Sequence, residues 1–136
     1  MKIVIDTNVL LVSISRKSKY NWIFQKILTG KVDICISNEI LFEYSEKIGE
    51  IFSPSVAFNT LRVLQNLPNT VEVKIYYNWD LIKNDPSDNK FTDCYIASRA
   101  DYILTEDSDF NVLQQISFPI VKAININQFE EIFKTK

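Results

Sequence analysis

The chain has 136 residues, of which 46% are hydrophobic and 24% charged, with only 2 glycines and 4 prolines; this suits one globular domain over residues 1–136, with a sizeable core and little room for linkers. A formal charge of -2 and an isoelectric point of about 5.2 argue against a general polyanion binder. The chain has no histidine, which excludes histidine general bases, Ser-His-Asp triads and His-ligated zinc.

The first stretch, Lys2 to Ile5, is an apolar run ending at Asp6. Such a run suits a strand buried on both faces in the centre of a parallel sheet. Asn8 is placed to cap a short helix carrying Val9, Leu10, Val12 and Ile14. Residues 15–19 read as a basic loop, and Asn21 to Leu28 as a helix closed by Gly30. Val32 to Ile36 is a second strand. Ser37 caps a helix over 38–51, and Ser53-Pro54 opens another through Leu67.

Alternation of Val71, Val73 and Ile75 with polar residues predicts an edge strand from Val71 to Tyr76. Residues 84–88 form a loop and helix start, and Asn89 to Ala100 is helical. Tyr102 to Leu104 is a strand, followed by a turn at 105–109 and a short helix to Gln115. A last strand is expected at Phe118 to Val121. Asn127 and Glu130 have the spacing of a capping box for a C-terminal helix. Strands alternating with helices imply an α/β domain with three α/β/α layers around a mostly parallel five-stranded sheet.

Cys35 and Cys94 lack metal-site spacing and read as reduced core thiols. Asp6 interrupts any signal-peptide pattern, and no segment is long enough to span a bilayer, so a cytoplasmic protein with no membrane association is expected.

The acids carry the chemistry. Asp6 follows the first strand, and Asp107 follows the strand at 102–104 in the same relation. Ligands of open α/β sheets bind outside the carboxyl ends of the strands. Asp93 shares a helical face with Ile96, Ala97 and Ala100, so it is either paired by a cation or used in a site. Glu43 lies about 115° from the centre of its helix's apolar stripe, closer than Glu46 at about 175°; it is either a solvated acid or a fourth contributor. Asp88 is either a helix cap or a supporting acid; Asp107 is either a helix cap or a site acid, and Asp109 shares either role. Eight of the 17 acids fall between Asp80 and Asp109, against Lys83, Lys90 and Arg99. Oxygen ligands of this kind suit Mg²⁺ or Mn²⁺, ions that serve phosphodiester cleavage.

Val4-Ile5-Asp6-Thr7-Asn8-Val9-Leu10 resembles the first motif of the PIN domain family. Ser37 through Glu43-Tyr44 resembles the second, residues 93–100 the helix bearing the third acid, and residues 100–110 the fourth. The run Asp85-Pro86-Ser87-Asp88-Asn89-Lys90-Phe91 is similar to a subgroup of toxin components of toxin–antitoxin pairs. Glu106 stands where that subgroup usually has glycine.

The resemblance implies a metal-dependent endoribonuclease of VapC type, with one or two Mg²⁺ or Mn²⁺ ions and single-stranded RNA as substrate. It also implies homodimerisation and a small antitoxin partner. Asp6, Glu43, Asp93 and Asp107 would then be the catalytic and metal-binding acids, supported by Asp88, Asp109, Asn8 and Thr105. Arg16, Lys17 and Lys19, near Tyr20 and Trp22, are candidates for RNA contact, or else form a solvated loop over a core tryptophan. Tyr76, Tyr77 and Trp79 are open to core, interface or substrate roles.

Two other readings share the fold class. A receiver-type phosphoacceptor needs paired acids after the first strand and an acid after the middle one, whereas Thr7 and Asn8 follow Asp6. A haloacid-dehalogenase-like phosphatase needs an aspartate where Asn8 stands. A non-catalytic PIN-like binding module is the remaining alternative.

Overall fold

The computed structural model describes residues 1–134. Its sheet is parallel throughout the described residues and runs, from edge to edge, β3 (Thr70–Glu72), β2 (Asp33–Ile36), β1 (Lys2–Ile5), β4 (Tyr102–Leu104) and β5 (Ala123–Ile124). β1 (Lys2–Ile5) is central, between β2 (Asp33–Ile36) and β4 (Tyr102–Leu104). Ile3 lies opposite Ile34 on one side and Tyr102 on the other. Consecutive side chains of a strand point to opposite faces, and Ile3, Val4 and Ile5 are all fully buried. The sheet centre is therefore covered on both faces, as its apolar run requires.

α1 (Thr7–Ile14) and α2 (Asn21–Leu28) follow β1, and the α3–α4 pair (Asn38–Ile51 and Pro54–Asn66) follows β2. Ser37 and Ser53 cap α3 and α4 through the backbone N–H groups of Ile40 and Val56. α5 (Asn89–Ser98) packs on β1, β2 and β4. It ends at Arg99, which takes the left-handed conformation (φ 57°) usual for a helix C-terminus. The chain runs outward from β1 to the edge strand β3 (Thr70–Glu72), then returns to the other side of β1 as β4. That reversal opens a crevice beyond the carboxyl ends of β1 and β4.

Three expected boundaries are corrected. The alternation after Val71 continues as half-buried Val73 and Ile75, but strand pairing stops at Glu72 because β2 ends at its partner Ile36. The last strand is Ala123–Ile124 (β5), not residues 118–121. Pro119 lacks the N–H that a ladder needs, Phe118 and Ile120 are exposed, and β4 bonds instead to the carbonyls of Lys122 and Ile124. The capping box of α6 (Ile126–Lys134) is formed by Asn125 and Gln128, two residues before the expected pair. In that frame Ile126 and Phe129 face the core.

Candidate functional site

The carboxyl edge of β1 and β4 holds the candidate site. Asp6 leaves β1 in an extended conformation and stands at the N-terminus of α1 without using its side chain as a cap. The helix starts at Thr7, so exposed Asn8 is not the capping residue expected from the sequence. The Thr105 hydroxyl donates to Asp6 Oδ2 at 2.7 Å and accepts the Asp107 backbone N–H at 3.0 Å. One side chain at the end of β4 thus fixes the acid of β1 and the turn bearing Asp107. Asp107 Oδ1 in turn accepts the N–H of Asp109 at 2.9 Å.

A second acidic segment arrives from the start of α5. Asp85, Pro86, Ser87 and Asp88 make a 3-10 turn in which Asp88 N–H donates to the Asp85 carbonyl. One carboxylate oxygen from each of Asp85, Asp88, Asp107 and Asp109 lies within 4.8 Å of the others. Asp88 is 8% exposed, and its Oδ2 is a buried atom without a hydrogen-bond partner. Burial, with the charges of Asp85, Asp6, Asp107 and Asp109, raises its pKa to about 7. Burial raises Asp6 to about 6 against the opposing Thr105 hydrogen bond, with further upward pushes from Asp107 and Glu43.

Glu43 borders this cluster from α3. Its carboxylate accepts the Thr7 hydroxyl and pairs with Lys90 at 2.8 Å. Lys90 also donates to the Ser87 carbonyl, tying α3 to the Asp85–Asp88 turn.

Asp93 does not join the group. Its Oδ1 accepts the Trp79 backbone N–H at 3.0 Å. Burial raises its pKa, that bond lowers it, and the acids acting on it are Asp80 and Glu39. Asp93 is expected beside Asp6 and Asp107; the structure places it outside the four-aspartate group, since five residues along a helix carry it about 7.5 Å from Asp88 and to another face. Asp85 is the member of this cluster that sequence reading does not single out. Its signal was present in the three-residue spacing to Asp88 across Pro86, which one 3-10 turn closes.

Glu106 fits the turn without a left-handed backbone and accepts the Ile126 N–H at 3.3 Å. Arg16, Lys17 and Lys19 are exposed beyond the far end of α1, about 12 Å of helix from Asp6. Trp22 stacks on Phe129 and meets Phe133 edge-on, so it serves packing against α6. Tyr76 and Tyr77 are exposed, and Trp79 meets Tyr77 and Phe118 edge-on. Cys35 and Cys94 are free and buried, as expected. The third strand in chain order is at the sheet edge and sends no acid to the cluster, contrary to what a receiver domain needs. No helix among the described residues is long and apolar enough to cross a membrane.

The donor set suits a hard divalent cation. It is all oxygen, it is closely grouped, and it contains a buried carboxylate atom with nothing to bond.

A family model described as PIN domain matches residues 2–109. No curated protein sequence matches the chain. Among solved structures, the fold is similar to a chain of VapBC2 from Rickettsia felis bound to a promoter DNA fragment, with a TM-score of 0.62 at 16% identity over 92% of this chain and 98% of that one. It is also similar to the PIN domain endonuclease Utp24, with a TM-score of 0.53 at 19% identity over 92% of this chain and 84% of that one. DNA-bound VapBC from Salmonella typhimurium gives a TM-score of 0.56 at 13% identity over 92% and 98%.

Proposed function

The chain belongs to the PIN domain family, and on that premise we propose that it is a metal-dependent endoribonuclease that cleaves single-stranded RNA. The observation that carries this reading is the unpartnered, buried Asp88 Oδ2 within a group of four close carboxylates. A like-charged cluster of this kind costs free energy unless protons or a cation neutralise it.

Asp88, Asp107, Asp109 and Asp85 would hold Mg²⁺ or Mn²⁺. Such an ion, when bound, lowers the pKa of water and stabilises the leaving oxygen. Asp6 and Glu43 flank the group and orient the attacking water. Thr105 is a positioning residue, because its hydroxyl fixes Asp6 and its oxygen fixes the Asp107 turn. Thr7 and Lys90 hold Glu43 in the same way. Asp93 has no part in the step.

The purified protein is expected to cleave single-stranded RNA with Mn²⁺ or Mg²⁺ and to lose this activity in EDTA. An Asp6→Asn variant that cuts equally well contradicts the assignment. The likeness to chains of VapBC complexes supports a toxin that pairs with a small antitoxin; a homodimer in the cytoplasm is part of the same proposal. Growth arrest on expression, relieved by the product of an adjacent reading frame, is the outcome expected; unaffected growth contradicts the toxin role.

A further inference from the structure

A cavity of about 300 Å³ opens beside Asp107, on the β5 side of the acidic edge. Glu106 and Asp107 form one wall, Asn111 and Gln114 come from the following 3-10 helix, and Asn125 and Gln128 from the start of α6. Four primary amides therefore line it from two elements.

The bonding of two amides fixes which atoms they offer. Asn125 Oδ1 accepts the Gln128 backbone N–H, and Gln128 Oε1 accepts the Asn125 backbone N–H, each at 2.8 Å. A backbone N–H can be met only by the amide oxygen, so both NH₂ groups remain as donors. Asn111 and Gln114 are exposed and have no side-chain hydrogen bond among the described residues. Glu106 uses Oε1 on the Ile126 N–H and keeps its other oxygen.

We propose that this cavity binds one nucleobase of the substrate, and that it favours a base with an exocyclic amine over uracil. This rests on the nuclease reading above. Amide donors and acceptors match the hydrogen-bonding edges of an unpaired base. The free Glu106 oxygen repels a phosphate and accepts from an exocyclic amine, whereas uracil presents a carbonyl oxygen in place of that amine. The volume is at the small end for ligand sites, which suits a single base. Asp107 belongs both to the cavity wall and to the acidic cluster, so a base in the cavity adjoins the phosphodiester placed for cleavage.

The test pairs cleavage with binding. Random single-stranded RNA is cut with Mn²⁺ and the new ends are sequenced, using wild type, a double Asn111→Ala/Gln114→Ala variant and Glu106→Gln. Affinities for short labelled homopolymers of A, C and U are read by fluorescence anisotropy in Ca²⁺, with DNA counterparts to separate base from sugar recognition.

Wild type is expected to show an amine-bearing base at a fixed position beside the cut. The double variant should lose about tenfold in that preference, mainly through a raised KM, and Glu106→Gln should shift preference toward uracil. Unbiased wild-type ends, or an unchanged bias in both variants, overturn the proposal. A wild type that cuts nothing overturns the nuclease reading instead. Anisotropy then decides for the cavity: equal affinity for oligo(C) and oligo(U) overturns it, whereas a preference for C that the double variant loses supports it.

Discussion

Asp88 and Asp93 lie five residues apart on one helical run, and both are at least nine-tenths buried. Asp93 is covered by the segment after β3, whose Trp79 N–H bonds its carboxylate. Asp88 opens onto three other aspartates and leaves Oδ2 without a partner. Burial raises the pKa of both, so neither burial nor a shifted pKa distinguishes a site from a structural acid. What distinguishes them is whether the protein itself supplies the compensating hydrogen bond.

Substitution should separate the two most sharply in activity. Asp88→Asn is expected to lower RNA cleavage by about 100-fold or more, since even partners of metal ligands cost up to that much. Asp93→Asn keeps an acceptor for Trp79 and should stay within about threefold of wild type. Initial rates with saturating Mn²⁺ measure both, and equal losses would break the contrast.

A stability effect should run the opposite way. Asp93→Leu leaves the Trp79 N–H without its acceptor and is expected to cost about 1–2 kcal/mol, read from urea unfolding at fixed pH. Asp88→Asn removes an uncompensated charge, so the metal-free variant should unfold at the same or higher urea concentration than wild type at pH 8.

The pH dependence sharpens the same point. Asp6 and Asp88 rise from an ordinary 3.8 to about 6 and about 7 in the folded state. Protonation therefore favours folding, and the stability it provides is complete below about pH 4 and lost as pH rises through 7. In EDTA, Tm should fall between pH 5 and pH 8 by on the order of 5 °C. Mn²⁺ should reverse the fall at pH 8, and a Tm that rises with pH in EDTA contradicts this account.

The sheet was legible because a continuous apolar run such as Ile3-Val4-Ile5 can be satisfied only by burial on both faces. The same logic located Asp6 and Asp107, one and three residues past a strand end, where short-range pattern sets position. The surroundings of Asp93 are not legible in the same way, because a helical wheel reports that a face is buried, not what covers it. Its cover is an irregular stretch with no periodicity to read. The sequence leaves Asp88 a supporting acid because an aspartate before a helix is usually a cap, yet here its side chain makes no capping bond. The last strand failed for a register reason. Which residues pair with β4 depends on the ladder at Ile103 and Thr105, not on the apolar content of residues 118–121.

Calorimetric titration of Mn²⁺ into wild type, Asp88→Asn and Asp93→Asn tests the central claim without involving RNA. The acidic edge around Asp88 predicts that wild type and Asp93→Asn bind the ion alike and that Asp88→Asn loses binding. Retained binding in Asp88→Asn with loss in Asp93→Asn would contradict it.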